Sequence, residues 1–218
     1  MSTPVKTIFL DYDGTLHDSM AIYKPAFLKA YATLVKKQYA EAKDWTDEAI
    51  SKFLGQTPKE MWASFGDAIP EAAKQEASLA IGNTMETMIK AHQAKLYNGA
   101  IETLKTLKAR GYTLVFISNC KTQYMENHTE VFQLDRYFDA MVCAEMYDYA
   151  PKTDVLKTLK QRFQSPYAMV GDRHHDIDAG KAHQMVTVAC TYGFGSDEEH
   201  THADYKITDI TELKAIFT

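Results

Sequence analysis

Cysteine is scarce in this sequence, and its scarcity excludes the folds that depend on it. The three cysteines, Cys120, Cys143 and Cys190, are odd in number and show no CxxC spacing, so they indicate neither a disulfide framework nor a zinc site. We interpret them as small core residues of a protein in a reducing compartment. His200 and His202 lie in an acidic segment without a clear third ligand, and we interpret both as solvated surface residues.

Long apolar runs and basic clusters are also missing. No run approaches the roughly 20 apolar residues that a membrane-spanning helix needs. The 218 residues include 24 Lys and Arg against 29 Asp and Glu, for a formal net charge of -5, and the basic residues form no run. These features argue against membrane and nucleic-acid partners and favour a small-molecule ligand. The N-terminal residues do not resemble a secretion signal, so we expect a cytoplasmic protein, either a monomer or a homodimer.

What the sequence does contain is an alternation of short apolar runs and helical patterns. A first apolar run ends at Asp11, and from residue 19 to residue 95 Ala, Lys, Glu, Met and aromatic residues recur at helical spacing. Beyond residue 99, helical patterns alternate with β-branched runs, which is typical of βαβ units and a parallel sheet. We therefore predict an α/β protein with an all-helical insertion. The predicted domains are a catalytic core of residues 1–17 and 97–218 and a helical domain of residues 18–96.

Polar side chains follow three of the predicted strands at the point where each strand ends. They are Asp11 and Asp13 after the first strand, Ser118 and Asn119 after the next, and Asp172 after the strand of residues 167–170. In an open parallel sheet the active crevice lies beyond the carboxyl ends of the strands. We therefore expect these side chains to converge on one site.

The acidic residues of this set predict a metal site. Asp11 and Asp13 are two residues apart, and two carboxylates this close need a cation or a shared proton to offset their repulsion. Mg²⁺ suits a site made of oxygen ligands, and Asp172 and Asp176 would supply the remaining carboxylates. Asp176 has a second interpretation, because Asp is favoured at the start of a helix, and the two roles can coexist.

The same site predicts phosphoryl transfer. Asp11 can attack phosphorus and form an aspartyl-phosphate, while Asp13 can protonate the leaving alcohol and later deprotonate the attacking water. The Ser118 hydroxyl and the backbone N–H of Asn119 can donate hydrogen bonds to the phosphoryl oxygens. A cation is still needed to balance the charge of the transition state, and Lys152 is the best candidate.

These motifs resemble those of the haloacid dehalogenase superfamily, in its phosphoglycolate phosphatase and β-phosphoglucomutase-like branch. The resemblance depends on residues 11–16 (DYDGTL), 117–119 (ISN) and 171–176 (GDRHHD). The lysine motif departs from the common K-P-x-P-D pattern, since residues 150–154 read APKTD, but Lys152 fits the K-x-[DE] arrangement of other branches. The resemblance implies a Rossmann-like, three-layer core, a helical cap of the C1 type, and Mg²⁺ bound by three groups. These are the side chains of Asp11 and Asp172 and the backbone carbonyl of Asp13.

The resemblance also bears on the reaction. Dehalogenases of the superfamily usually lack the second Asp, so Asp13 favours phosphoryl chemistry. The mutases usually have a cap histidine and an acidic residue where this chain has Tyr23 and Gly171, which favours hydrolysis. We therefore predict a phosphatase acting on a small phosphorylated metabolite, such as phosphoglycolate, a sugar phosphate or a nucleoside monophosphate. Gln56 and Thr57 are the predicted substrate contacts from the cap. A pyrophosphatase, a phosphomutase and a non-catalytic binding module are the alternatives.

Overall fold

The computed structural model describes residues 4–56 and 58–218. Its internal contacts divide the chain into two compact units, one formed by Met1–Asp18 with Leu96–Thr218 and the other by Ser19–Lys95. Thr57, one of the two predicted substrate contacts from the cap, lies outside the described residues. Among the residues described, no helix is both long enough and apolar enough to cross a lipid bilayer.

The smaller unit is helical. Its helices are α1 (Met20–Lys36), α2 (Asp47–Ser51), α3 (Pro58–Ala63) and α4 (Glu71–Lys90). The long helices α1 and α4 pack against each other. A cluster of aromatic rings forms part of its core, in which Phe27 stands edge-on to Trp45 with ring centroids 4.9 Å apart and Phe53 lies 5.4 Å from Phe27. This unit thus has its own apolar core.

The larger unit is built on a parallel sheet. In the described part of the chain its strands are β1 (Thr7–Leu10), β2 (Thr113–Ser118), β3 (Ala140–Cys143), β4 (Tyr167–Gly171), β5 (Val186–Cys190) and β6 (Tyr205–Ile207). Their order is β3-β2-β1-β4-β5-β6, and the pairs between neighbours are parallel. All four residues of β1 are buried, because a central parallel strand is covered on both faces. The order reverses at β1, which is where ligand-binding crevices form in such sheets.

Helices cover the two faces of this sheet. They are α5 (Ala100–Ala109), α6 (Thr122–Phe132), α7 (Lys152–Leu159), α8 (His174–Ala182) and α9 (Leu213–Ile216). Side chains alternate along a strand, so Ile8 joins one buried cluster with residues of α5, α6 and α9, whereas Phe9 joins a second with residues of α7 and α8. The core is therefore a three-layer αβα arrangement, and the predicted fold class is confirmed.

Two short elements at the C-terminal end of the chain are absent from the sequence prediction. β6 has three residues, two of them exposed, and α9 has four. Neither is long enough to produce a clear apolar period. β6 forms because β5 offers it an edge to pair with, through Cys190 and Ile207 among others.

Candidate active site

The chain turns sharply directly after β1. The amide nitrogens of Leu16 and His17 both donate to the carbonyl oxygen of Tyr12, at 2.8 and 2.9 Å. Gly14 adopts a φ of +81°, and a Cβ atom at this position would lie 2.1 Å from Oδ2 of Asp172. Only glycine accommodates both the positive φ and this close approach. The turn therefore brings the first motif against the end of β4.

Three carboxylates meet beside this turn. Asp11, Asp172 and Asp176 each offer an oxygen, and these oxygens lie within 4.8 Å of one another. All three residues are buried, at 7%, 0% and 1% exposure. Asp172 accepts a hydrogen bond from the backbone nitrogen of Phe194 at 2.6 Å through Oδ2, while its buried Oδ1 has no hydrogen-bond partner among the described residues. Because an unpartnered buried carboxylate oxygen is costly, this donor set fits a hard divalent cation.

A buried lysine lies against the same cluster. Lys152 is the first residue of α7, and its Nζ lies 2.7 Å from Oδ1 of Asp11 and 2.5 Å from Oδ1 of Asp176. Its side chain is only 3% exposed. Burial alone would lower the pKa of Lys152, but the two carboxylates outweigh burial and raise it above its usual range. The structure thus places one ammonium group between two carboxylates of the cluster.

Asp11 and Asp172 bind protons more strongly than an exposed Asp would. Burial first, and then the nearby carboxylate of Asp176, raise the pKa of Asp11 to about 7 against the lowering effect of Lys152. The pKa of Asp172 is raised well above its usual range by burial and by its two acidic neighbours. A bound divalent cation would favour the charged form of each carboxylate and reverse these shifts.

Asp176 caps a helix and also lies in the carboxylate cluster, while its binding of a metal stays a prediction. Its Oδ2 accepts a hydrogen bond from the backbone nitrogen of Arg173 at 3.1 Å, which caps the start of α8. Its Oδ1 contacts Lys152 in the cluster. A Cβ atom at Gly171 would lie 2.2 Å from Cγ of Asp176, so the glycine leaves room for this carboxylate.

The carboxyl group of Asp13 has different neighbours from those of the three clustered carboxylates. Its Oδ1 lies 2.8 Å from Nδ1 of His17 and accepts a hydrogen bond from the hydroxyl of Tyr124, also at 2.8 Å. Sequence reasoning missed both partners. The only signal for His17 is its spacing of four residues from Asp13, and no signal connects Tyr124 with Asp13, 111 residues away. That the Asp13 carbonyl binds metal stays a prediction.

The remaining predicted residues lie in both units. Ser118 is the last residue of β2 and is 3% exposed. It lies two residues beyond Phe116, which pairs with Leu10 of β1, so Ser118 stands at the same end of the sheet as the turn after β1. Asn119 follows it and is exposed. Gln56 is an exposed residue of the smaller unit, before α3, and its contact with substrate stays a prediction.

A loop after β5 supports Asp172 and the start of α8. His200 is 1% exposed, and its Nε2 lies 2.5 Å from the carbonyl oxygen of Asp172. Oε2 of Glu199 accepts hydrogen bonds from Nε of Arg173 at 3.0 Å and from the backbone nitrogen of His174 at 2.8 Å. The interpretation of His200 as a solvated residue is therefore wrong, because its ring is packed against the backbone of the acidic motif.

Comparisons with known proteins agree with this geometry. A family model described as "Haloacid dehalogenase-like hydrolase" matches residues 8–190. The pyrophosphatase PpaX of Bacillus mycoides (strain KBAB4) is 23% identical over 221 residues, covering 98% of this chain and 97% of the relative. These matches confirm the predicted superfamily and the prediction that the chain is an enzyme.

Two solved structures share the whole fold. A predicted phosphoglycolate phosphatase from Haemophilus somnus 129PT has a TM-score of 0.83 at 20% identity, with 100% of both chains covered. A mutant of CbbY from Rhodobacter sphaeroides, in complex with xylulose-1,5-bisphosphate, has a TM-score of 0.75 at 19% identity, with 96% of each chain covered.

Proposed function

Because the chain belongs to the haloacid dehalogenase-like hydrolase family, we propose that this phosphatase hydrolyses a small phosphate monoester with Asp11 as its nucleophile. The observation that supports this most is the meeting of three buried carboxylates and one buried ammonium group at the carboxyl ends of β1 and β4. Such a cluster of buried titratable groups, in which the pKa values of Asp11 and Asp172 are raised, is typical of a catalytic site.

We propose Mg²⁺ as the cofactor of this site. The side chains of Asp11, Asp172 and Asp176 and the carbonyl oxygen of Asp13 would hold it. Bound there, the ion supplies positive charge to the phosphoryl oxygens. The unpartnered Oδ1 of Asp172 supports this assignment, since the part of the chain that the structure describes offers it no donor.

The reaction follows from the positions of the acidic residues. A carboxylate oxygen of Asp11 forms a bond to phosphorus while the bond from phosphorus to the leaving alkoxide breaks. Asp13 donates its proton to the leaving oxygen and then takes a proton from the water that attacks phosphorus. This second attack breaks the bond to Asp11 and releases phosphate. Lys152 binds one oxygen of Asp11 and balances the negative charge.

Other residues would bind the phosphoryl group and select the substrate. The Ser118 hydroxyl and the backbone N–H of Asn119 would bind the phosphoryl oxygens. Gln56 and Thr57 would contact the rest of the substrate from the cap domain of residues 18–96. The predicted phosphoglycolate phosphatase and the CbbY complex favour a compact phosphorylated metabolite. We propose phosphoglycolate, a sugar phosphate or a nucleoside monophosphate, hydrolysed in the cytoplasm.

A pyrophosphatase is the second candidate. The relatives named PpaX support it, because the match to one of them covers 98% of this chain at 23% identity. Pyrophosphate could use the same nucleophile and metal site, and its leaving group is a phosphate rather than an alcohol. Inorganic phosphate release from pyrophosphate, compared with release from monoesters, separates the two candidates.

The test is an assay of phosphate release from a panel of substrates. Purified protein would be incubated with phosphoglycolate, sugar phosphates, nucleoside monophosphates, pyrophosphate and p-nitrophenyl phosphate, with Mg²⁺ or with EDTA. We expect Mg²⁺-dependent release from at least one monoester and none from the Asp11→Asn variant. No release from any compound, or unchanged release by Asp11→Asn, would overturn the proposal.

A further inference from the structure

The hydrogen bonds on the Asp13 carboxyl group point to a function beyond packing. We propose that Tyr124 and His17 are positioning residues, which hold the carboxyl group of Asp13 in the orientation needed to protonate the leaving oxygen. This inference rests on the proposed function, in which Asp13 is the general acid and base. Tyr124 of α6 would thus orient the side chain of Asp13 in the turn after β1.

Both hydrogen bonds end on one oxygen of Asp13. Nδ1 of His17 and the hydroxyl oxygen of Tyr124 are each 2.8 Å from Oδ1, and they lie 3.3 Å from each other. The His17 side chain is fully buried, whereas the Asp13 side chain is 29% exposed. The carboxyl group is thus fixed from its buried side and accessible from the other.

The two donors are themselves held in place. Tyr124 and His128 are four residues apart on α6, so they share one face of the helix. The hydroxyl of Tyr12 lies 2.7 Å from Nδ1 of His128. The ring of Tyr12 stacks on that of His17, with centroids 5.2 Å apart and an interplanar angle of 10°. Side chains of α6 and of the turn therefore interlock around Asp13.

The donor and acceptor groups determine the direction of these hydrogen bonds. The hydroxyl of Tyr124 donates to Oδ1 of Asp13, since a carboxylate oxygen can only accept a hydrogen bond. Burial and the adjacent His17 lower the pKa of His128 to about 3, so its ring is neutral. Nδ1 of His128 can then accept a hydrogen bond from the hydroxyl of Tyr12.

This arrangement determines what loss of a donor should do. An Asp carboxyl group rotates freely unless it is held, and general acid catalysis requires it to stay within hydrogen-bond distance of the leaving oxygen. Without Tyr124 or His17 the group would spend most of its time in other orientations. Substrates with poor leaving groups would react more slowly than with the wild type. Substrates whose leaving group needs no proton would react at the wild-type rate.

The test compares two substrates in three single variants. Tyr124→Phe and His17→Phe each keep an aromatic ring and remove the donor to Asp13. Tyr167→Phe is the matched control, because its hydroxyl donates to the carbonyl oxygens of Lys160 and Phe163 at the opposite end of the sheet. kcat/KM would be measured with an alkyl phosphate, such as glycerol phosphate, and with 2,4-dinitrophenyl phosphate. Circular dichroism and thermal unfolding would establish that each variant is folded.

We expect a fall in kcat/KM that depends on the leaving group. Positioning accounts for part of the roughly 100-fold to 10,000-fold effect of a general acid, so Tyr124→Phe should lose about 10-fold to 100-fold with the alkyl phosphate. With 2,4-dinitrophenyl phosphate the loss should be about twofold or less, and Tyr167→Phe should change neither value by more than about twofold. If His17→Phe does not fold, the positioning role is tested with Tyr124→Phe alone.

A double variant tests whether Tyr124 acts through Asp13. Asp13→Asn removes the acid, so adding Tyr124→Phe to it should lower kcat/KM for the alkyl phosphate no further. Equal losses with both substrates, or a full additional loss in the double variant, would overturn the positioning role. A wild-type protein without Mg²⁺-dependent turnover of either substrate would instead overturn the proposed function.

Discussion

Removing the buried ammonium group of Lys152 should lower the stability of the protein by an amount that its contacts allow us to calculate. In the Lys152→Met variant, a side chain of similar length remains but the ammonium group between Asp11 and Asp176 is gone. Removing one partner of a buried ion pair leaves uncompensated charge, which costs about 3–5 kcal/mol. The two carboxylates can avoid part of this cost only by binding one further proton, because both are almost fully buried.

The pH dependence of this cost follows from the proton that the variant must bind. With an ordinary Asp pKa of about 3.9, uptake of that proton costs about 4 kcal/mol at pH 7 and about 1.5 kcal/mol at pH 5. A carboxyl pKa that is raised in the folded state destabilises the protein as pH rises, so the defect grows from about pH 5 to about pH 7. At 2–4 °C per kcal/mol, the melting temperature at neutral pH should fall by roughly 8–16 °C.

The assay is thermal unfolding in EDTA at both pH values, with Lys157→Met as the control. Lys157 lies on the same helix but is exposed, so its replacement should change the melting temperature little. Turnover with Mg²⁺ should fall about 100-fold or more in Lys152→Met, as for the loss of a charge-stabilising donor. A defect of equal size at both pH values, or turnover close to that of the wild type, would refute the reasoning.

Three further predictions concern the metal site, the turn and the stability in acid. Mg²⁺ should raise the free energy of unfolding by about 2.7 kcal/mol at 100 times its dissociation constant, and thermal unfolding of Asp172→Asn should show a much smaller gain. Gly14 and Gly111 both have a positive φ, but of the two only Gly14 has atoms within 4 Å of the position that a Cβ would take. Gly14→Ala should therefore lower the free energy of unfolding, measured by urea titration, by at least about twice the roughly 1 kcal/mol expected for Gly111→Ala. Asp204 accepts hydrogen bonds from Nζ of Lys181 and from the backbone nitrogen and hydroxyl of Thr187, and these hydrogen bonds outweigh burial and lower its pKa. Asp204→Asn should therefore cost about 1 kcal/mol at neutral pH and nothing in acid below the folded-state pKa, and an equal cost at both would contradict this.

Much of the site could be predicted because its residues follow strand ends. Apolar runs such as that of β1 identify buried parallel strands, and the polar residues directly after them must lie at one edge of the sheet. This argument is sufficient to place Asp11, Ser118 and Asp172 at the same end of the sheet. The position of Lys152 could not be predicted from strand ends alone, since its motif departs from the common pattern. Its ammonium group reaches the carboxylates because Lys152 is the first residue of α7.

The residues that support the site could not be predicted in this way. His200 lies in the loop after β5 and contacts the carbonyl of Asp172, 28 residues before it in the sequence. The contact of Tyr124 with Asp13 depends on which face α6 turns toward the first motif. Such contacts depend on helix rotation and loop path, which are set by packing of the whole core rather than by local sequence periodicity.

The central claim is that Asp11 forms a covalent bond to phosphorus. It can be tested by quenching the enzyme in acid during turnover of p-nitrophenyl phosphate with Mg²⁺, reducing it with tritiated borohydride, then digesting it and locating the tritium by mass spectrometry. An aspartyl-phosphate would be reduced to homoserine, and we predict this product at position 11 in the wild type and not in Asp11→Asn. Reduction at another residue, or full turnover by the Asp11→Asn variant, would contradict the account.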